Sequence, residues 1–276
     1  MSTPKLSVVS LRSACVAALN EADTTEKRRL TRQAFKLWKS RALSLTAPTD
    51  DAPPARPGRP VKPELVHPSK VKKRGLGTMA GRVSLLHALA HIELNAIDLA
   101  LDIVARFATQ NVPRSFFDSW MSVADDEARH FGLLEARLAE LGATYGDMPA
   151  HDGLWEAATA TENDLFARLA IVPMVLEARG LDVTPSIVEK LHEFGDAKSA
   201  AILQVIYEDE KTHVAVGAKW FRFFCARNGL RPDETFHDLV RRNFRGQLKP
   251  PFNDRARAAS GLTPGFYRSL SASSRL

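Results

Sequence analysis

Two short strings constrain this chain more than anything else in it: Asp126-Glu127-Ala128-Arg129-His130 and Asp209-Glu210-Lys211-Thr212-His213. Each is an Asp followed by Glu-x-x-His, and each sits mid-way along a run whose apolar residues recur at spacings of three and four. On a helix, residues three apart share a face, so each string directs a carboxylate and an imidazole to one spot. Two further runs of the same periodicity supply one inward-facing carboxylate each, Glu93 and Glu177. An unpaired carboxylate on an apolar helix face is very costly, so metal ligation accounts for their placement. Glu93, Glu127, His130, Glu177, Glu210 and His213 make four carboxylates and two imidazoles on four helices, a donor set for two metal ions in a bundle core.

The rest of the chain is compatible with that core. Its 276 residues can bury one large domain with appendages, and 45% hydrophobic and 25% charged residues are ordinary for a globular protein. Period-two β-branched runs are absent, so the expected class is all-α. The cysteines, Cys15 and Cys225, have neither metal spacing nor a disulfide framework, which fits a reducing compartment. The apolar stretch Leu6 to Leu19 is interrupted by Arg12 and followed by acidic residues, so no signal peptide is read. No run reaches membrane-spanning length, and the expected location is cytoplasmic.

Periodicity divides the chain into four parts: an N-terminal helical segment over 1–46, a Pro-rich linker over 47–77, the metal-binding bundle over 78–229, and a C-terminal helix with a basic tail over 230–276. In the first part, Asp23-Thr24-Thr25 reads as a cap between two helices. The linker carries Pro48, Pro53, Pro54, Pro57, Pro60, Pro63 and Pro68, and is expected to be extended, wrapped on the surface or loose. The bundle helices are expected at about Thr78–Phe107, Pro113–Gly142, Asp152–Gly180 and Asp196–Gly229, with a short helix near Pro185–Phe194 before the fourth. Pro173, four residues before Glu177, should bend or bulge the third helix at the depth of the metals. A last helix is placed at about Pro232–Phe244, before an irregular tail.

Around the ligands, Asp126 and Asp209 suit a supporting role in which each accepts the free ring N–H of a ligand histidine. The expected geometry is crossed, Asp126 to His213 and Asp209 to His130, with Arg129 balancing the acidic pair. His87 and His91 share a helix face that is turned well away from Glu93, and are expected in the core or behind the ligands. Tyr207, three residues before Glu210, fits either the site or the core.

With these residues in place, the chain resembles the ferritin-like di-iron carboxylate superfamily. Asp126-Glu127-Ala-Arg129-His130 is similar to the motif of the bacterial multicomponent mono-oxygenases. His87-Ala-Leu-Ala-His-Ile-Glu93, Val175-Leu-Glu-Ala-Arg-Gly-Leu-Asp182 and Leu248-Lys-Pro-Pro-Phe-Asn253 more closely resemble a ferritin-like family of unknown function, over roughly Thr78 to the C-terminus. A more distant similarity is to tRNA hydroxylases that oxidise an isopentenyl-type modification. The resemblance implies a ferritin-like four-helix bundle with additional terminal helices, holding two iron ions or one manganese and one iron. Some positions depart from named chemistries. Leu134 stands where the ribonucleotide reductase small subunits have a radical-bearing Tyr, Leu181 where mono-oxygenases have a Thr, and Ile206 where arylamine oxygenases have a third His.

The function expected by this analogy is O2-dependent oxidation of a small or medium organic substrate. Its electrons would come from a separate donor, because no Gly-rich dinucleotide fingerprint is present. Two other functions are weighed: a tRNA-modifying hydroxylase, and metal storage or detoxification without catalysis. The tRNA alternative leans on charge. From Arg222 onward there are eleven Lys/Arg against four Asp/Glu, a balance of +7 within a net +6, so the remainder is about −1. Arg241, Arg242, Arg245 and Lys249, with Phe244 among them and Phe252 following, are the expected RNA contacts.

Overall fold

Capping chemistry starts most of the helices where the sequence places them. The computed structural model describes residues 9–46, 50–71, 75–108 and 111–271, and among these it contains helices and isolated bridges but no strand. Helix α1 (Leu11–Asn20) is capped by Ser10 and α2 (Thr24–Lys39) by Asp23, whose carboxylate accepts the Glu26 N–H. Thr78 caps α3 (Met79–Arg106), and Pro113 precedes α4 (Arg114–Glu140). Gly142, at φ +73°, turns the chain out of α4 in the left-handed region that a side chain would disfavour. Of the seven linker prolines, Pro48 lies outside the described residues, as does the Leu6–Val8 start of the first apolar stretch.

The third long helix differs from expectation. Residues Gly153–Ala160 form a separate short helix, α5, and the chain then breaks before Asp164 caps α6 (Leu165–Ile171). Next comes a π-helical segment, Val172–Glu177, continuing without interruption into α7 (Ala178–Glu193). Pro173 supplies no N–H for the α-helical ladder, and the helix widens there into i→i+5 pairing, which ends on Glu177. The expected stop at Gly180 and new start at Pro185 do not occur. Pro185 leaves the Leu181 carbonyl without its helical donor, and the side-chain amide of Asn253 donates to that oxygen at 3.2 Å.

Helix α8 (Ala197–Arg227) is capped by Asp196, and α9 (Pro232–Asn243) follows a turn at Gly229, φ +65°. The tail is less irregular than expected, since it folds into α10 (Asp254–Ala259) and α11 (Pro264–Tyr267). Helices α3 and α4 form one packed pair and α7 and α8 another, with α4 against α8 joining the two. α1 and α2 cover α3 and α4, so that Leu11, Cys15 and Trp38 share one apolar core with Phe116, Phe131 and Phe221. The result is an all-α helical bundle. Both cysteines are free and buried. Among the described residues no helix is long and apolar enough to cross a membrane.

The linker wraps the bundle. Its Gly58 N–H donates to Leu19 O at 2.7 Å, Ala55 O accepts from the Trp155 indole at 3.0 Å, and Leu65 bridges to Ala150. Arg59 reaches Asn95 and Asp98 on α3, each at 2.8 Å. Asp98 is also paired with the fully buried Lys27 of α2, and on the next turn Asp102 pairs with the buried Arg168 of α6. Two buried carboxylates on α3 therefore tie down the N-terminal helices, the linker and the segment leading to Glu177. Breaking either pair from one side strands a charge in the core, at a cost of about 3–5 kcal/mol.

Candidate metal centre

Glu93 on α3, Glu127 and His130 on α4, and Glu210 on α8 converge between the helices, each offering a donor atom within 4.8 Å of the others. The two histidines approach the centre through the same ring atom. His130 Nδ1 lies 3.2 Å from both Glu93 Oε2 and Glu127 Oε2. His213 Nδ1 lies 2.9 Å from Glu127 Oε1 and 3.5 Å from Glu210 Oε1, without hydrogen-bond geometry to either. Their rings stand 5.7 Å apart. Glu177, at the end of the π segment, lies outside the tightest group and lines the adjacent cavity with Glu93 and Glu210.

The far ring nitrogens face aspartates in a crossed pattern. His130 Nε2 is 3.0 Å from Asp209 on α8, and His213 Nε2 is 3.6 Å from Asp126 on α4, the latter too long for a hydrogen bond. Arg129 Nη2 donates to both aspartates, at 3.0 Å to Asp126 and 2.7 Å to Asp209. One guanidinium thus joins the two Glu-x-x-His units across the helix pair. Tyr207 is turned elsewhere, its hydroxyl accepting from Asn253 at 3.1 Å with the Lys211 ammonium over its ring. His87 and His91 belong to the core. Both stack on Tyr145, and His91 also meets the Tyr145 hydroxyl at 2.8 Å and His151 O at 3.1 Å.

Electrostatics in the cluster are those of too much negative charge in too little solvent. Burial pushes the Glu93 carboxyl well above the usual range, and the neighbouring Glu127 adds to the shift. Glu177 and Glu210 are raised by burial, then by their carboxylate neighbours. Burial would do the same to Glu127, but the His213 and His130 imidazoles outweigh it and hold that carboxyl well below the usual range. Burial opposes charge on His130, yet its contacts with Glu127 and Glu93 lift it to about 11. His213 is raised against burial mainly by Glu127. Cations bound among these groups would relieve the same excess of negative charge.

Several donor atoms in this cluster are buried with no hydrogen-bond partner: Glu127 Oε1, Glu177 Oε2, Glu210 Oε2 and both ring nitrogens of His213. Buried polar atoms are nearly always satisfied. Acceptor-only oxygens gathered around imidazole nitrogens fit first-row metal ions, which take carboxylate and imidazole together.

Beside the carboxylates lies an apolar cavity of about 200 Å³ between α3, α7 and α8. Leu89, Ala96, Val183, Leu203 and Ile206 form its walls, and Ile92, 44% exposed, stands at its opening. The cavity and Arg179 at its rim were not legible as functional in the sequence.

This is an all-helical protein with a buried carboxylate–imidazole cluster that could hold a metal. The family described as "Protein of unknown function (DUF455)" matches residues 20–268, and the chain belongs to it. It is also similar to an uncharacterized protein of Haemophilus influenzae, 41% identical over 209 residues that cover 74% of this chain and 73% of that protein. No solved structure matches.

Proposed function

We propose that the cluster holds two first-row metal ions, two irons or one manganese and one iron, and that the protein is an oxygen-dependent oxidoreductase acting on an organic substrate. The observation that carries this reading is the group of buried donor atoms without partners: Glu127 Oε1, Glu177 Oε2, Glu210 Oε2 and His213 Nδ1. Each unsatisfied group costs about 1–3 kcal/mol, and bound cations would remove that cost together. Four helical runs carrying Glu, Glu-x-x-His, Glu and Glu-x-x-His in order, the third running from α6 through the π segment into α7, support the ferritin-like assignment.

Iron bound here would supply redox electrons and open coordination positions for O2. The protein groups divide the remaining work. Glu93, Glu127, Glu177 and Glu210 balance the cationic charge, and His130 and His213 present Nδ1. Asp209 holds the His130 ring by its far N–H, Asp126 faces that of His213, and Arg129 keeps both aspartates charged and in place. The apolar wall excludes water and leaves room for a hydrocarbon group against Glu93, Glu177 and Glu210. Inserting one oxygen atom into a C–H bond takes two electrons from the substrate and two from a separate donor, and the second oxygen atom leaves as water with two protons.

That cavity favours a small substrate over tRNA. Arg241 and Arg242 lie against Asp238, which offsets part of their charge. A tRNA-modifying hydroxylase would lean on Arg245, which flanks a second surface cavity beside Phe244. Storage or detoxification would use the same ligands without needing the apolar wall.

Anaerobic loading with ferrous iron, elemental analysis, and spectra before and after O2 exposure test the proposal. Wild-type protein should retain two metal ions per chain and give an O2-dependent absorption change. Glu127→Ala should lose both, while His151→Ala should keep them. Wild-type protein that retains no metal would sink every enzymatic reading of the site.

A further inference from the structure

Arg179 stands at the rim of the apolar cavity, two residues beyond Glu177 on α7. Its Nη1 is fully engaged, donating to Lys249 O at 2.7 Å, Pro251 O at 3.0 Å and Asp182 Oδ2 at 3.3 Å. Those bonds anchor the guanidinium to the C-terminal segment and fix its orientation. Nε and Nη2 make no hydrogen bond among the described residues, and the side chain is 39% exposed. Asp182 does not neutralise it, because Arg257 already takes both Asp182 oxygens at 2.7 Å from Nε and Nη2.

The rest of the cavity offers a ligand little polarity. Leu89, Ala96, Leu99, Val183, Leu203 and Ile206 line it with Thr184 as the one uncharged polar side chain, and beyond them Glu93, Glu177 and Glu210 form the cluster. An immobilised cation with a free two-donor edge, beside apolar walls, matches a molecule with one anionic head and a hydrocarbon body. The Nε–Nη2 edge suits a planar carboxylate or a phosphate, which accepts two parallel N–H bonds.

We infer that the cavity takes a single-headed anionic amphiphile, its head group paired with the Nε–Nη2 edge of Arg179 and its apolar chain running along the cavity toward Glu93, Glu177 and Glu210. The inference rests on the function proposed above for the chain's role as substrate; the anchoring by Arg179 does not depend on it. The C-terminal segment around Lys249 and Pro251 then serves the site by holding the head-group anchor in place.

Calorimetric titration of the full-length protein with octanoate, octyl phosphate and 1-octanol tests this, with metal content measured on the same sample. Octanoate or octyl phosphate should bind at one saturable site at least tenfold more tightly than octanol, and whichever is tighter identifies the head group. Arg179→Gln should bring the anion down to the affinity of the alcohol, and Arg179→Lys should restore part of the difference. Ala96→Trp, which fills the cavity from α3, should abolish binding of all three, with circular dichroism and the thermal midpoint reporting on the fold. Equal affinity for anion and alcohol in the wild type, no binding of any of the three, or anion binding undiminished in Ala96→Trp would overturn the inference. Protein that binds octanoate through Arg179 yet retains no metal keeps the anchor and loses the oxidoreductase reading. Protein that holds two metals without head-group preference loses the anchor alone.

Discussion

The side-chain amide of Asn253 donates to the Leu181 carbonyl, the helical acceptor that Pro185 cannot serve. The same amide reaches the Tyr207 hydroxyl at 3.1 Å, while Asn253 Oδ1 caps α10 through the Ala256 N–H. One residue of the tail therefore keeps α7 continuous past its proline and pins the tail to α8. Asn253→Ala should destabilise the fold by about 2 kcal/mol, the sum expected for a lost cap and an orphaned carbonyl. Urea unfolding measures it. A loss below about 0.5 kcal/mol, the range of ordinary surface substitutions, would show that the carbonyl finds another donor.

The crossed aspartates give unequal expectations. Asp209 is within hydrogen-bonding distance of its histidine and Asp126 is not, at 3.0 against 3.6 Å. Asp209→Asn should weaken metal retention by about 10–100-fold, the range for groups that orient a ligand histidine, with Asp126→Asn weakening it less. Competition with a chelator reads the difference. Equal, unaltered metal affinities in the two variants would demote both to solvated neighbours.

Gly217 on α8 makes room for the proline of the π segment. A Cβ there would sit 2.5 Å from both Cβ and Cγ of Pro173, a rigid ring that cannot swing aside. Overpacking of this kind costs about 1–3 kcal/mol, more than the ~1 kcal/mol that Ala gains over Gly in a helix. Gly217→Ala should therefore lower the urea midpoint, and should also reduce metal content, because the displaced segment carries Glu177. Unchanged stability with full metal content would mean that the π segment is free to shift.

Acid should destabilise the protein through its core histidines. His87 Nε2 accepts the N–H groups of Gly146 and Met148, at 2.9 and 3.4 Å, which only an unprotonated nitrogen can do. Burial lowers its pKa from the ordinary 6.5, with Asp147 partly opposing. His91 is pushed down to about 4 by burial, with the Arg59 charge adding. The unfolded chain thus takes up protons near pH 6.5 that the folded chain refuses. Stability is fully present above that pH and falls as pH drops below it, by up to about 1.4 kcal/mol per pH unit for each group. Unfolding free energies measured from pH 7.5 to 5 should show this slope, and His87→Gln should be less stable at pH 7.5 but lose less on acidification. Identical slopes in the two proteins would remove His87 from the account.

Much of this protein was legible along the chain because helices are local. Periodicity, caps and Gly142 and Gly229 placed α3, α4, α8 and α9 within a few residues, and Glu-x-x-His needs only the helical repeat to join a carboxylate to an imidazole. The crossed placement of Asp126 and Asp209 was legible too, since each sits beside its glutamate on facing helices, but only Asp209 comes within hydrogen-bonding distance of its histidine. Local signals misread α5 to α7. Gly180 and Pro185 are helix breakers in isolation, and at Pro185 the missing donor is replaced by an amide seventy-two residues away, from Asn253 to Leu181. The Lys27–Asp98 and Arg168–Asp102 pairs, the wrapping of the linker, and the cavity with Arg179 at its rim were equally out of reach. Each is a contact between segments whose separation no periodicity encodes, and whether a charge is buried, paired or left with a free edge depends on what the rest of the chain packs against it.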